Sequence, residues 1–200
     1  MLTLFESSLD EGVFPKLWKI DYIVPIFKSG QRDKIDNYRG NQFVITKLLD
    51  SIIITQLQWA SSSIISYKQF GFCPGKSTLS NLIEHQLFLN DTLVNRFQVD
   101  SVYTDFTKTF DRVNHLLLIV QLHRLGFSNK TVQWLPSFLI SRSQQVRLGN
   151  YTSTPFCLTS GLPQGIHCGP VLLLLIINDL TCGFRYFYYL LYADDLKLFE

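Results

Sequence analysis

Apolar and polar positions along this chain alternate in short stretches of two different periods. Tyr22 to Phe27 (YIVPIF) is a compact apolar run ahead of the turn-rich KSGQRDKIDNYRG, which predicts a short strand and then a polar loop. LLDSIIITQLQWA suits a buried helix or a strand, and its length favours the helix. In STLSNLIEHQLFLNDTLVN, residues Leu79, Leu82, Ile83, Leu87, Leu89, Leu93 and Val94 form a helical stripe, with Ser77 as N-cap. QVDSVYTDF predicts a short strand, and NHLLLIVQLHRLGF a helix capped by Asn114 and ended by Gly126. QQVRLGNYTSTPFCLTSGLPQG reads as a strand pair turning at Gly149-Asn150, then a loop marked by glycine and proline. Pro170 falls in the first turn of a buried helix, GPVLLLLIINDL. The chain finishes on a tyrosine-rich strand, a tight turn at Ala193 to Asp195 and a return strand. Strands and helices interleave without a regular βαβ rhythm, so the predicted class is α+β.

Composition adds bounds. With 200 residues, 46% hydrophobic and 14% aromatic, the chain can bury a substantial core in one or two domains. A net charge of +2 is compatible with a nucleic-acid channel without arguing for one. Cys73, Cys157, Cys168 and Cys182 have no C-x-x-C spacing, which disfavours a zinc site or a disulfide framework and predicts a reducing setting. The first residues, MLTLFESSLDEG, lack the basic region of a signal peptide. The longest aliphatic run, Val171 to Ile177, is far short of the roughly 18–20 residues of a membrane span. The expectation is a soluble intracellular chain, neither secreted nor membrane-bound, in nucleus or cytoplasm.

The candidate chemistry begins with YADDLKLF. Asp194 and Asp195 are adjacent carboxylates in an apolar and aromatic run, where an unpaired charge costs several kcal/mol when buried. In isolation an exposed hairpin turn, where aspartate is common, is the better explanation of the pair. Asp105 stands near the C-terminal end of its predicted strand, so two carboxylates at neighbouring strand ends could hold divalent cations. Hard oxygen ligands suit Mg²⁺, which uses one or two protein carboxylates plus substrate phosphates. A metal pair of this kind serves phosphoryl displacement.

Five blocks in order then resemble the reverse transcriptase domain of non-LTR retrotransposons: VPIFKSGQRDKIDNYR, QFGFCPGKST, YTDFTKTFDRVNH, TSGLPQGIHCGPVLLLLIINDL and YADDLKLF. They span about residues 13 to 199. The resemblance implies a right-hand polymerase palm, a small antiparallel sheet with packed helices, plus fingers. It implies mainly fingers over 1–98 and mainly palm over 99–200, with 130–165 returning to the junction. It implies an RNA-directed DNA polymerase that copies an RNA template from a DNA primer with deoxynucleoside triphosphates and Mg²⁺, Mn²⁺ being an alternative. The family's thumb would lie beyond Glu200, so a thumb-less domain that polymerises poorly alone is expected. An inactive remnant that folds or binds nucleic acid is the alternative, and an RNA-dependent RNA polymerase is a further one that Phe110 and the alanine of YADD disfavour.

Site roles follow from the same resemblance. Asp105 and Asp194 would bind metal together with the backbone at Phe106, and Asp195 would support them. Phe110 would lie beneath the incoming sugar and exclude a 2′-hydroxyl. Lys28 and Arg39 would meet the triphosphate, and Gln164 and Gly165 the nascent base pair. Gly75, Lys76 and Ser77 would contact nucleic acid. GKST also looks like the end of a phosphate-binding P-loop, but Phe70 stands where that motif needs glycine and Pro74 removes an amide. His85, His115, His123 and His167 have no metal spacing and are assigned structural or surface roles. The chain departs from the family pattern at Gly40-Asn41-Gln42, Thr109, Ile166 and Cys168, none of them a metal ligand.

Overall fold

The computed structural model describes residues 2–43, 47–163, 165–184 and 186–200. The chain divides into two compact units, each built from two stretches: Met1–Leu57 with Phe110–Gly169, and Gln58–Thr109 with Pro170–Glu200.

The first unit is organised around a sheet. Strand β1 (Ile20–Phe27) pairs antiparallel with β2 (Tyr38–Phe43), Phe27 facing Tyr38 at the start of the connecting loop. Its other edge pairs in parallel with β4 (Ser143–Leu148), which turns back at Gly149 (φ 59) into β5 (Tyr151–Thr152) and also pairs with β6 (Phe156–Cys157). Positive φ costs glycine little, so the residue expected to turn this strand pair does so.

Helices α1 (Leu2–Glu11), α5 (His115–Arg124) and α6 (Asn129–Leu139) supply much of this unit's core. Asn114 caps α5 through the amides of Leu116 and Leu117, and Gly126 follows its end at φ 77. Phe14, Trp134 and Phe138 are buried and in mutual contact, with ring centroids 5.0–5.6 Å apart. Beneath them Arg142 forms a two-pronged ion pair with Asp21, at 2.9 and 2.7 Å, both side chains being buried. Helix α2 (Lys47–Ser61) brings in buried Asp50, whose Oδ1 accepts the Cys168 amide at 3.1 Å and whose Oδ2 accepts that of His167. These amides begin α7 (Cys168–Ile177), so a carboxylate meets a helix N-terminus that favours negative charge.

The second unit holds an antiparallel sheet in the order β3 (Ser101–Thr104), β8 (Asp195–Phe199), β7 (Tyr188–Tyr192). Phe70, Leu190 and Phe199 form its core cluster, with Phe88, Val99 and Tyr192 packed around it. Val171 to Leu175 of α7 are at most 3% exposed, as an all-apolar helix requires.

Helix α3 (Thr78–Val94) begins at Ser77, whose hydroxyl accepts the Ser80 amide at 3.1 Å. Its orientation differs from the one its stripe suggests. Leu79, Leu82, Ile83, Leu87, Leu93 and Val94 are all at least 50% exposed, while Asn81 and His85 are buried. The polar face turns inward because the sheet offers it partners: Asn81 donates to Leu191 O at 3.3 Å and accepts from Lys197 Nζ at 3.0 Å.

Candidate active site

The β7–β8 hairpin closes through Tyr192 and Asp195, leaving Ala193 and Asp194 as a two-residue turn. Asp195 therefore starts a strand instead of ending the turn. Ala193 has φ 55, a conformation that L-residues adopt at some cost and that the first loop position of a two-residue hairpin often needs. On the neighbouring strand, Thr104 pairs with Leu196, so the register carries Asp105 to the level of Asp195. Asp105, Asp194 and Asp195 thus lie at one end of one sheet.

Electrostatics agrees with that register. The Asp195 carboxyl is held above its ordinary value by desolvation first, then by the Asp194 and Asp105 carboxylates, with the Lys197 ammonium pulling the other way. Three carboxylates at one sheet end create a field that a divalent cation would relieve. Among the described residues no three His, Cys, Asp or Glu side chains gather as a metal cluster. Two carboxylates with the remaining positions left to substrate oxygens is the donor set that suits Mg²⁺. The residues fit the ion.

Two polar contacts orient the central carboxylate and its turn. Thr109 Oγ1 lies 2.6 Å from Asp194 Oδ2 and 2.9 Å from Phe106 O, so its one proton serves either acceptor. Lys108, between them in sequence, has φ 54. On the other side, buried Gln69 places its side-chain amide against both backbone groups of Ala193. Sequence reasoning passed over both Thr109 and Gln69 as functional residues. The only signals were the Q of QFGF and the departure at KTFD.

The remaining expected residues divide between the units. In the second, Gly75 takes φ 74 and Ser77 caps α3. Lys76 Nζ donates to Gln69 O at 3.0 Å and to Tyr67 O, and lies 4.8 Å from the Phe70 ring centre. Phe106 is 39% exposed. In the first unit, Lys28 is exposed and its amide donates to Asn37 O at 2.8 Å. Arg39 belongs to β2 opposite Ile26, and its side chain lies outside the described residues. Phe110 is partly buried and its carbonyl accepts the Leu162 amide at 2.8 Å. Gly165 is exposed at φ 86, and Gln164 lies outside the described residues. Gly40, Asp111, Gln144, Gly161 and Leu162 help to line a cavity of about 400 Å³ in this unit.

The histidines have structural or surface places. His115 Nε2 is 2.7 Å from Gly161 O, His167 Nδ1 is 3.3 Å from Asp50, His123 is exposed, and His85 is buried against Phe199. No helix among the described residues is long and apolar enough to cross a membrane.

Comparison with known proteins agrees with this fold. Residues 28–200 match the family model described as reverse transcriptase (RNA-dependent DNA polymerase). The RNA-directed DNA polymerase from mobile element jockey of Drosophila melanogaster is 30% identical over 88% of this chain and 20% of its own length. The probable RNA-directed DNA polymerase from transposon BS of the same organism is 29% identical over 98% of this chain and 23% of its own. The chain therefore spans about a fifth of the length of these curated relatives. In fold it is similar to apo telomerase from Candida tropicalis truncated from the C-terminal domain. That TM-score is 0.69 at 14% identity, over 94% of this chain and 44% of the telomerase chain.

Proposed function

This chain belongs to the reverse transcriptase (RNA-dependent DNA polymerase) family, and from that premise we propose that it carries the metal centre of an RNA-directed DNA polymerase. The substrates in this reading are deoxynucleoside triphosphates, a DNA primer and an RNA template. The observation that carries it is the placement of Asp105, Asp194 and Asp195 at one sheet end, where desolvation first and then the other two carboxylates push the Asp195 carboxyl up.

Asp105 and Asp194 would hold Mg²⁺, or Mn²⁺ in its place, together with the Phe106 backbone, and Asp195 would support them. A divalent cation there supplies charge neutralisation at phosphoryl oxygens. The protein's own contribution is position. Thr109 hydrogen-bonds one Asp194 oxygen, which orients the carboxylate. Exposed Lys28 and the guanidinium of Arg39 serve the triphosphate, Phe110 the sugar, and Gln164 with Gly165 the nascent base pair. The Gly75–Ser77 turn meets the nucleic-acid backbone, and Lys76 shapes it by tying Tyr67 and Gln69 carbonyls. Positioning and charge neutralisation supply most of the rate in phosphoryl transfer. Retention of both principal carboxylates weighs against a catalytically dead remnant.

The test is primer extension on an RNA template with Mg²⁺. Asp105→Asn or Asp194→Asn should lower extension by on the order of a hundredfold or more, since even outer-shell partners of a metal ligand cost about 10–100-fold when removed. Extension that survives both substitutions would remove the metal centre from these residues.

A further inference from the structure

We propose that Gln69 is a positioning residue of this centre, holding the Ala193 turn so that Asp194 points one way. The inference rests on the reading of Asp105 and Asp194 as metal ligands. Gln69 is 2% exposed, and each hydrogen-bonding atom of its side-chain amide is engaged. Its Oε1 accepts the Ala193 amide at 2.8 Å and the Gly71 amide at 2.9 Å, while its Nε2 donates to Ala193 O at 3.0 Å. One side chain therefore takes both backbone groups of the residue immediately before Asp194.

The turn needs such a hold. Ala193 sits at φ 55, and a non-glycine residue in this region persists only where its surroundings over-determine it. The residues that hold it are themselves anchored. Gln69 forms a parallel bridge with Leu191, Phe70 N donates to Leu191 O at 2.9 Å, and Leu191 N donates to Lys68 O at 3.0 Å. Lys76 fixes the Gln69 carbonyl from behind. Gly71 packs so closely that a Cβ there would lie 2.1 Å from the Ala193 nitrogen. Lys76, Gln69 and Ala193 are thus linked in series up to the candidate metal ligand. A buried amide that served folding alone could bond anywhere along the strand; this one is spent on the turn.

Two measurements test it. In the unaltered protein, the Ala193 amide should exchange with solvent as slowly as the paired amides of β7 and β8. Exchange at the rate of an open turn would overturn the proposal. Next, Mn²⁺ affinity is measured by the spin signal of free Mn²⁺ in the presence of a deoxynucleoside triphosphate. Gln69→Leu should weaken it by about tenfold, the lower end of the effect of outer-shell substitutions. Amides of Leu190 and Lys197, further along the hairpin, should stay protected. Unchanged Mn²⁺ affinity in folded Gln69→Leu would refute a positioning role, leaving a purely structural one. Should Gln69→Leu not fold, Gln69→Met carries the comparison, because it keeps the length of the side chain and removes both the acceptor and the donor without adding a charge. Asp194→Asn separates the two claims. If it leaves Mn²⁺ affinity unchanged, the metal reading fails and the positioning role with it. If it abolishes binding while the Gln69 variants keep full affinity, only the positioning role fails.

Discussion

Thr109 shares its hydroxyl with Asp194 across 85 residues of chain, at 2.6 Å. A hydrogen bond to a charged group contributes about 1.5–3 kcal/mol net. Partial exposure and the competing Phe106 carbonyl reduce that here, so Thr109→Ala should cost about 1 kcal/mol in urea unfolding. Thr109→Ser, which keeps the hydroxyl, should recover most of it. Equal losses in both variants would mean the methyl group matters and the contact with Asp194 does not.

Asp195 carries an electrostatic cost of its own. Its carboxyl sits above the ordinary value, first through desolvation and then through Asp194 and Asp105. In the unfolded chain it returns to about 3.9. The folded state therefore takes up this proton first on acidification. The penalty is full at neutral pH and is relieved as pH falls through the folded pKa. Asp195→Asn should raise the melting temperature slightly at pH 7 in the absence of divalent ions, and the difference should shrink as pH falls toward about 4. A gain that grows on acidification would contradict this.

His85 gives the opposite slope. Burial first, and then Lys197, hold its imidazole below the ordinary value, and its Nε2 has no hydrogen-bond partner among the described residues. As pH falls below about 6.5 the unfolded chain gains a proton that the folded chain resists, so stability declines. His85→Phe keeps a ring against Phe199 and removes the orphaned nitrogen. It should gain about 1 kcal/mol at neutral pH and flatten the decline below about pH 6.5, read from urea midpoints across pH.

Much of this was legible locally, and what was missed is long-range. Ser77 and Asn114 cap their helices as the sequence predicts, because an N-cap bonds amides two or three residues on. The turns at Gly149 and at Ala193-Asp194 are equally local. The face of α3 was not legible from its stripe, since Asn81 turns inward to meet Leu191 and Lys197 more than a hundred residues away. Nor did period or propensity announce that Gln69 would reach Ala193, across 124 residues.

Arg142 and Asp21 belong to the same class of long-range pairing. Burial pushes the Asp21 carboxyl up, and the Arg142 guanidinium pulls against it. Arg142→Met leaves a buried carboxylate alone and should cost about 3–5 kcal/mol in unfolding free energy. The double variant Asp21→Leu with Arg142→Met should recover a large part of that loss, because a well-packed apolar pair often matches a buried ion pair. A double variant no more stable than the single one would show that shape at this site outweighs charge.

If Asp105 and Asp194 form the metal centre, the place where a paramagnetic ion sits reports it most directly. Mn²⁺ added to isotope-labelled protein with a deoxynucleoside triphosphate broadens the amide signals nearest to it. We expect the strongest broadening at Asp105, Phe106, Asp194 and Asp195, abolished by Asp194→Asn. Broadening centred on another carboxylate, such as Asp111 or Asp179, or left intact by Asp194→Asn, would contradict the claim.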